Sequence, residues 1–308
     1  MTTRTMAPHE GVSRAQAMRH NPLAKSLVDG EFILTAEDFR QIAHTLHSST
    51  GIYLPESKAT LVYSRLARRL RLLGLTSFHD YCALIGDKAG VDERQRMLAA
   101  LTTNVTRFFR EPHHFEHLRT QVLPPLLDGA RRGGRVRLWS AACSSGQEPY
   151  SIALTVLSLL PDAARYDVKI LATDIDPVVL GEGRAGVYAE TAMAGVPSTL
   201  LSWFAPVDVD GEKWMSVSES MRALVSFREL NLIGDWPMKG TFQAIFCRNV
   251  VIYFEEETQS RIWNRFQPFL EPGGVLYIGH SERLTGDAAH AFVGDGITTY
   301  RRLQKEQA

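Results

Sequence analysis

No stretch of this 308-residue sequence approaches the roughly 20 consecutive apolar residues that a membrane span needs. The greasiest run, IALTVLSLL at 152–160, is short and carries Thr155 and Ser158. Cysteine is scarce. Cys82, Cys143 and Cys247 lie too far apart for a disulfide framework or a CxxC metal site, and buried inert thiols are the expectation. Neither charge sign is in excess: 34 basic side chains face 34 acidic ones, which excludes a uniformly cationic nucleic-acid binder. The dinucleotide fingerprint GxGxxG is missing, as are HExxH, any His/Cys metal cluster and a Gly-rich loop ending in Lys-Ser/Thr. No nucleophile–base triad stands out. The N-terminus has no apolar core of the kind a secretory leader carries, so no export is expected.

What is present divides the chain. Residues 1–34 are polar and lack periodicity, and are read as a mobile tail. From Thr35, an N-cap with an acid three residues on, four helices are expected up to residue 110. The second, over about 56–73, places Val62, Leu66, Leu70 and Leu73 on one face. Lys58, Arg65 and Arg69 share a stripe beside it, extended by Arg68 and Arg71, and no acid occurs from 58 to 71. That one-sided charge suits a docking face. It also unmasks the balanced total, since residues 35–110 hold 11 basic against 7 acidic side chains and residues 111–308 hold 19 against 24.

From residue 111 the pattern alternates. Strands are expected at VRLWS (136–140), VKILATD (168–174), FQAIFCRNV (242–250) and VLYIG (275–279). Helices are expected over 149–160, 177–183, 191–203 and 255–270, and GITTYRR (296–302) suits an antiparallel closing strand. Strands alternating with helices make a parallel α/β sheet. The Asp210-Gly211 turn inside VDVDGEKWMSV signals a hairpin, read with MRALVSF as an antiparallel insertion over about 205–228. Its exposed edge suits packing or the docking of an extended peptide.

In such a sheet, ligands bind beyond the carboxyl ends of the strands. There the sequence places AACSSGQEP (141–149), whose Glu148 suits a cationic amine better than a phosphate. Asp174 ends the next strand and can accept ribose hydroxyls, as an NAD or an S-adenosyl-L-methionine site requires. Asn231-Leu232 offers an amide beside an apolar face, and Arg248, Asn249 and Tyr253 follow the strand through Cys247. The connecting segment TTNVTRFFRE carries Asn104, Thr106, Arg107 and Arg110 around Phe108-Phe109, read as a wedge between domains.

Taken in order, NVTRFFREP (104–112), RLWSAACSSGQEPYSIA (137–153), ILATDID (170–176), NL (231–232), FCRNVVIYF (246–254) and EPGGVLYIGHSE (271–282) resemble the chemotaxis receptor methyltransferase (CheR-type) family. The likeness spans nearly everything after residue 35. It implies an α/β class I S-adenosyl-L-methionine-dependent methyltransferase fold, with a small all-helical N-terminal domain and a small antiparallel β insertion. It also implies a cytoplasmic, monomeric protein-glutamate O-methyltransferase that makes glutamate methyl esters and S-adenosyl-L-homocysteine, without a metal. Carried over by motif, cofactor contacts fall on Asn104, Thr106, Arg110, Glu148, Asp174, Asn231, Leu232, Arg248 and Asn249, with Arg110 and Tyr253 where the methyl emerges. The implied partner is the cytoplasmic helical bundle of methyl-accepting receptors in membrane arrays, met through Lys58, Arg65, Arg68, Arg69 and Arg71. A receptor C-terminal peptide on the β insertion is a further implied contact, and no nucleic acid is implied. Gln147 departs from the family, which usually has Glu there.

Overall fold

In the computed structural model, which describes residues 25–102 and 104–304, a short hairpin comes first: β1 (Ser26–Val28) against β2 (Leu34–Thr35). Thr35 then caps helix α1 (Ala36–Thr50); its hydroxyl accepts from the Asp38 N–H and the Asp38 carboxylate accepts from the Thr35 N–H. Helices α2 (Ala59–Leu73), α3 (Phe78–Gly86) and α4 (Val91–Leu101) complete the helical domain. Their apolar faces meet in one core, where Phe39, Ile42, Leu46, Val62, Leu66, Leu70, Phe78 and Met97 are buried. Phe32 and Leu34 of the hairpin are buried in that same core, with Phe32 edge-on to Phe78 at 6.4 Å. The expected tail boundary at residue 34 is therefore corrected: residues 25–34 are held by two apolar anchors. The rest of the expected tail, 1–24, lies outside the described residues.

The basic stripe is corrected as well. Arg69 turns inward, where its Nε and Nη2 donate to the two oxygens of Glu93 at 2.9 and 2.5 Å, and the Tyr81 hydroxyl joins them at 3.0 Å. Arg65 donates to the carbonyls of Ala100, Leu101 and Thr102, closing the C-terminus of α4. Arg71 pairs with Glu31 at the surface. Of the five cations, Lys58 and Arg68 are left without an ion pair or hydrogen bond among the described residues. Arg69→Ala is expected to lower stability by about 1–2 kcal/mol, because buried Glu93 then keeps the Tyr81 hydroxyl and a distant Arg96. Arg68→Ala should leave the urea midpoint unchanged, and equilibrium unfolding of the pair distinguishes an internal clamp from a solvated face.

The second domain begins with α5 (Pro112–His117) and α6 (Leu123–Arg131), joined by one π-helical turn. Then come β3 (Val136–Ala141), α7 (Gln147–Leu159), β4 (Val168–Asp174) and α8 (Pro177–Ala185). A three-stranded excursion of β5 (Val187–Ala189), β6 (Phe204–Val209) and β7 (Glu212–Val217) follows, then α9 (Glu219–Leu224) and β8 (Val225–Glu229). The chain finishes through β9 (Phe242–Cys247), α10 (Glu256–Phe269), β10 (Leu270–Ile278), α11 (Ala288–Ala291), β11 (Phe292–Gly296) and β12 (Thr299–Arg302).

The central sheet has the order β11-β12-β10-β9-β3-β4-β8, parallel from β10 to β8, with β12 antiparallel to β10. The sheet is doubly wound and largely parallel, as the alternation implies, with helices on both faces. One sheet face buries Leu138, Phe246 and Tyr277 against α7, and the other buries Trp139, Ile245 and Leu276 against α10. Sequence order reverses between β3 and β9, so a crevice opens beyond their carboxyl ends.

Three expectations change here. The insertion is the sheet β5-β7-β6, with its turn at Asp210-Gly211, whereas 225–229 belongs to the central sheet beside β4. The segment 191–203 folds as two short 3-10 turns, Glu190–Gly195 and Ser198–Trp203, instead of one helix. Phe108 does not wedge between the domains: it is buried in the methyltransferase core, edge-on to Tyr188 at 5.1 Å and Phe204 at 5.5 Å.

Candidate active site

A cleft of about 230 Å³ opens at the reversal point, and both domains line it. From the helical side come Ile52, Tyr53, Lys58, Leu61 and Thr102; from the sheet side come the loops after β3, β4, β8 and β9. The seam is sewn by backbone. Ile52 bridges Phe254, the Tyr53 N–H donates to the Tyr253 carbonyl at 2.9 Å, and the Asn231 amide donates to the Ser49 carbonyl at 2.8 Å.

The loop after β3 explains its own composition. Ala142 and Ser144 sit at φ 60° and 50°, and Gly146 at φ 95° starts α7. A Cβ on Gly146 would lie 2.9 Å from the Gly183 Cα and from the Tyr188 hydroxyl, so only glycine passes there. One glycine in the right place replaces a glycine-rich fingerprint. The Ser144 hydroxyl donates to the Asn104 carbonyl, and that of Ser145 to the Gln147 side chain. Gln147 is thereby turned aside and does not line the cleft.

The floor of the cleft is acidic. Asp174, 6% exposed, accepts from the Ser144 N–H at 2.8 Å and the Asp176 N–H at 3.0 Å. Burial pushes its carboxyl above the ordinary range, and the two N–H donors pull it back. Asp176 caps α8 through the Val178 N–H and also holds the Asn104 amide at 3.0 Å, which ties the connecting segment to the sheet. Glu148 accepts from the Ser140 hydroxyl at 2.7 Å and from Arg248 at 3.0 Å; burial pushes its carboxyl up, against the pull of Arg248. Arg248, its side chain 2% exposed, also reaches Glu111 at 3.2 Å. Burial pushes the Glu111 carboxyl up as well, but the charge of Arg248 and a hydrogen bond with His280 outweigh it and hold it near 2. Two carboxylates thus share one guanidinium.

All ten residues expected in the site, Asn104, Thr106, Arg110, Glu148, Asp174, Asn231, Leu232, Arg248, Asn249 and Tyr253, come together on this cleft. Arg110 is half-buried and donates to the Val105 carbonyl at 3.0 Å, and Tyr253 is half-buried as well. Of the five proposed docking cations Lys58 alone lines the cleft, near Arg107 and Arg110 at its mouth.

Two residues escaped the sequence reading. Glu282, buried, accepts from the backbone N–H groups of Gly279, Asn249, Val250 and Val251 at 2.6–2.9 Å, and so fixes the loop that carries Arg248 and Asn249. Glu111 follows Arg110 directly, and nothing near it along the chain points to its partner Arg248. Cys143 and Cys247 are buried free thiols, and burial pushes both thiols up, as inert cysteines require.

Comparison with known proteins gives the same two-part division. Residues 37–102 match the CheR methyltransferase all-alpha domain, and residues 104–299 match the CheR methyltransferase SAM binding domain. A probable chemotaxis protein methyltransferase of Rhizobium etli is 58% identical over 84% of this chain and 97% of its own length. Chemotaxis protein methyltransferase 2 of Pseudomonas aeruginosa is 45% identical over 88% of this chain and 94% of its own. The chemotaxis protein methyltransferase of Escherichia coli is 42% identical over 82% of this chain and 86% of its own.

Proposed function

The chain belongs to the CheR methyltransferase family, and on that premise we propose that it methylates glutamate side-chain carboxylates of chemotaxis receptors. S-adenosyl-L-methionine-dependent methylation in chemotaxis is what the family itself carries. The observation supporting the finer reading is the separation of charge within one cleft. Glu148 and Asp174 lie on the floor, and Lys58, Arg107 and Arg110 line the rim. An acidic floor suits a cofactor with an ammonium group and ribose hydroxyls; a cationic rim suits an anionic acceptor.

The donor set fits the cofactor. Glu148 and Asp174 present acceptor oxygens for an ammonium and for ribose hydroxyls, and Leu230 and Leu232 supply an apolar wall. When bound, S-adenosyl-L-methionine supplies a methyl on a sulfonium, which a carboxylate oxygen takes directly to leave S-adenosyl-L-homocysteine. A glutamate carboxyl has a reference pKa near 4.3, so the acceptor is already a nucleophile at pH 7 and needs no general base. No histidine lines the cleft among the described residues. The chain's part is alignment and exclusion of water. Arg110 orients the acceptor carboxylate without holding it so tightly that its oxygen loses nucleophilicity, and Tyr253 flanks the same mouth. Lys58, just before α2, and Arg68, on its outer face, are the unpaired cations that meet the acidic receptor bundle. The outer edge of β6 offers a strand-pairing site for a receptor tail peptide.

Arg110→Ala is expected to lower the rate of methyl transfer at least tenfold at saturating cofactor and receptor. Radiolabelled methyl transfer measures it, with cofactor affinity determined separately. The labelled product should release methanol on base treatment, as a glutamate ester does and an N-methyl product does not. Undiminished turnover removes Arg110 from its role, and a base-stable product removes the ester.

A further inference from the structure

Behind the cleft, at the start of α5, Glu111, His113 and His114 bring ligand atoms within 4.8 Å of one another. Each of the three also holds a buried side-chain atom with no hydrogen-bond partner: Glu111 Oε2, His113 Nε2 and His114 Nδ1. Buried polar atoms are nearly always satisfied, so two orphaned imidazole nitrogens beside a carboxylate oxygen held only by its ion pair with Arg248 call for a shared explanation. His114 is fully buried and held in place, its Nε2 against the Thr298 hydroxyl at 2.9 Å and the Ile297 carbonyl at 3.2 Å. Its free Nδ1 points to Glu111 Oε2 at 3.6 Å, beyond hydrogen-bond length. The His113 ring lies 4.2 Å from the His114 ring. Exposed His280 sits at the open side, its Nδ1 3.0 Å from Glu111 Oε1.

We propose that Glu111, His113 and His114 form a binding site for a divalent transition-metal ion of the zinc type, with His280 or water completing the coordination. Two imidazoles and one carboxylate are a donor set that such ions favour, and a three-residue set leaves one position open. Arg248 at 3.2 Å from Glu111 opposes a second cation, but Glu148 also draws on its charge at 3.0 Å. Metal–ligand bonds of about 2.0–2.1 Å place tetrahedral donors roughly 3.3 Å apart, so loading contracts the cluster. His114 is fixed by Thr298, and the half-buried His113 and Glu111 side chains are the ones that move. His113 and His114 take no part in the methyl transfer described above, whereas Glu111 also pairs with Arg248 beside the cofactor site.

The test uses the full chain without an affinity tag, stripped by a chelator and passed over a desalting column. Cobalt(II) titration reads the visible absorption of a four-coordinate site, and equilibrium dialysis with zinc counts metal per chain. The expected result is one ion per chain, with zinc displacing cobalt and raising the melting temperature. His113→Ala should weaken zinc binding at least tenfold and abolish the thermal shift, whereas His290→Ala, an exposed histidine elsewhere, should bind as the unaltered chain does. The proposal is overturned if zinc binds in less than stoichiometric amount, or if His113→Ala binds it as tightly as the unaltered chain. Circular dichroism of the stripped His113→Ala protein shows that it is folded before it is titrated.

Discussion

Replacing Arg248 with alanine is expected to destabilise the protein by about 3–5 kcal/mol, the cost of removing one partner from a buried charge group. The reason is its position. Its side chain is 2% exposed and contacts Glu148 at 3.0 Å and Glu111 at 3.2 Å, and it also donates to the Arg110 carbonyl. Without it, two carboxylates face each other inside the fold, while Glu148 keeps the Ser140 hydroxyl and Glu111 keeps His280. The linker carbonyl loses its donor as well. Urea unfolding at neutral pH measures the loss, and acidification of the variant should recover part of it, since protonating either carboxylate relieves the repulsion. Arg248→Lys is expected to fall between the two, because an ammonium cannot serve both carboxylates and the carbonyl through one planar fork. A variant as stable as the parent at pH 7 would mean that the guanidinium is not what holds this floor together.

Asp174→Asn is expected to weaken cofactor binding by roughly 10–100-fold, the range for losing hydrogen bonds to a charged acceptor. Asp174 already accepts from the Ser144 and Asp176 N–H groups, so an amide nitrogen placed there also confronts a backbone donor. Isothermal titration with S-adenosyl-L-methionine reads the affinity, and a melting curve separates it from any change in stability. The sign with pH follows from burial. The carboxyl lies above its unfolded-state value, so protonation begins above the ordinary Asp range as pH falls. Cofactor affinity should therefore decline on acidification before an exposed aspartate would titrate, and Asp174→Asn should flatten that limb. For stability the sign is opposite. A raised carboxyl favours the folded state most below its unfolded pKa and loses that contribution as pH rises through the folded one.

Much of this site was legible because its residues sit where strands end. Glu148, Asp174, Asn231, Arg248 and Asn249 each follow a strand of the central sheet, and the rule for α/β crevices collects them without knowledge of the tertiary fold. What stayed hidden depends on partners distant in sequence. The stripe of α2 looks uncompensated within its own window, yet Glu93, 24 positions beyond Arg69, takes that charge into the core. Strand 225–229 looks like part of a hairpin because alternation marks a strand without naming its neighbour, and only the register with β4 assigns it to the main sheet. Phe32 and Leu34 belong to the three-residue apolar run FIL at 32–34, too short to set a periodicity that marks them as anchors. Glu282 looks like one more surface acid until four backbone amides converge on it.

The seam at Ile52–Phe254 and Ser49–Asn231 has a consequence for how such a chain can be recombined. The helical domain is not an interchangeable targeting module joined by a tether, because Tyr53 and Lys58 are walls of the cleft itself. A chimera that exchanges residues up to 102 with those of a relative exchanges part of the cleft wall along with the surface proposed to dock the receptor. Specificity for a new acceptor can be grafted cleanly only if the 49–58 segment stays with the 231–254 segment against which it is paired, and the graft begins beyond it, on the outer surface of α2.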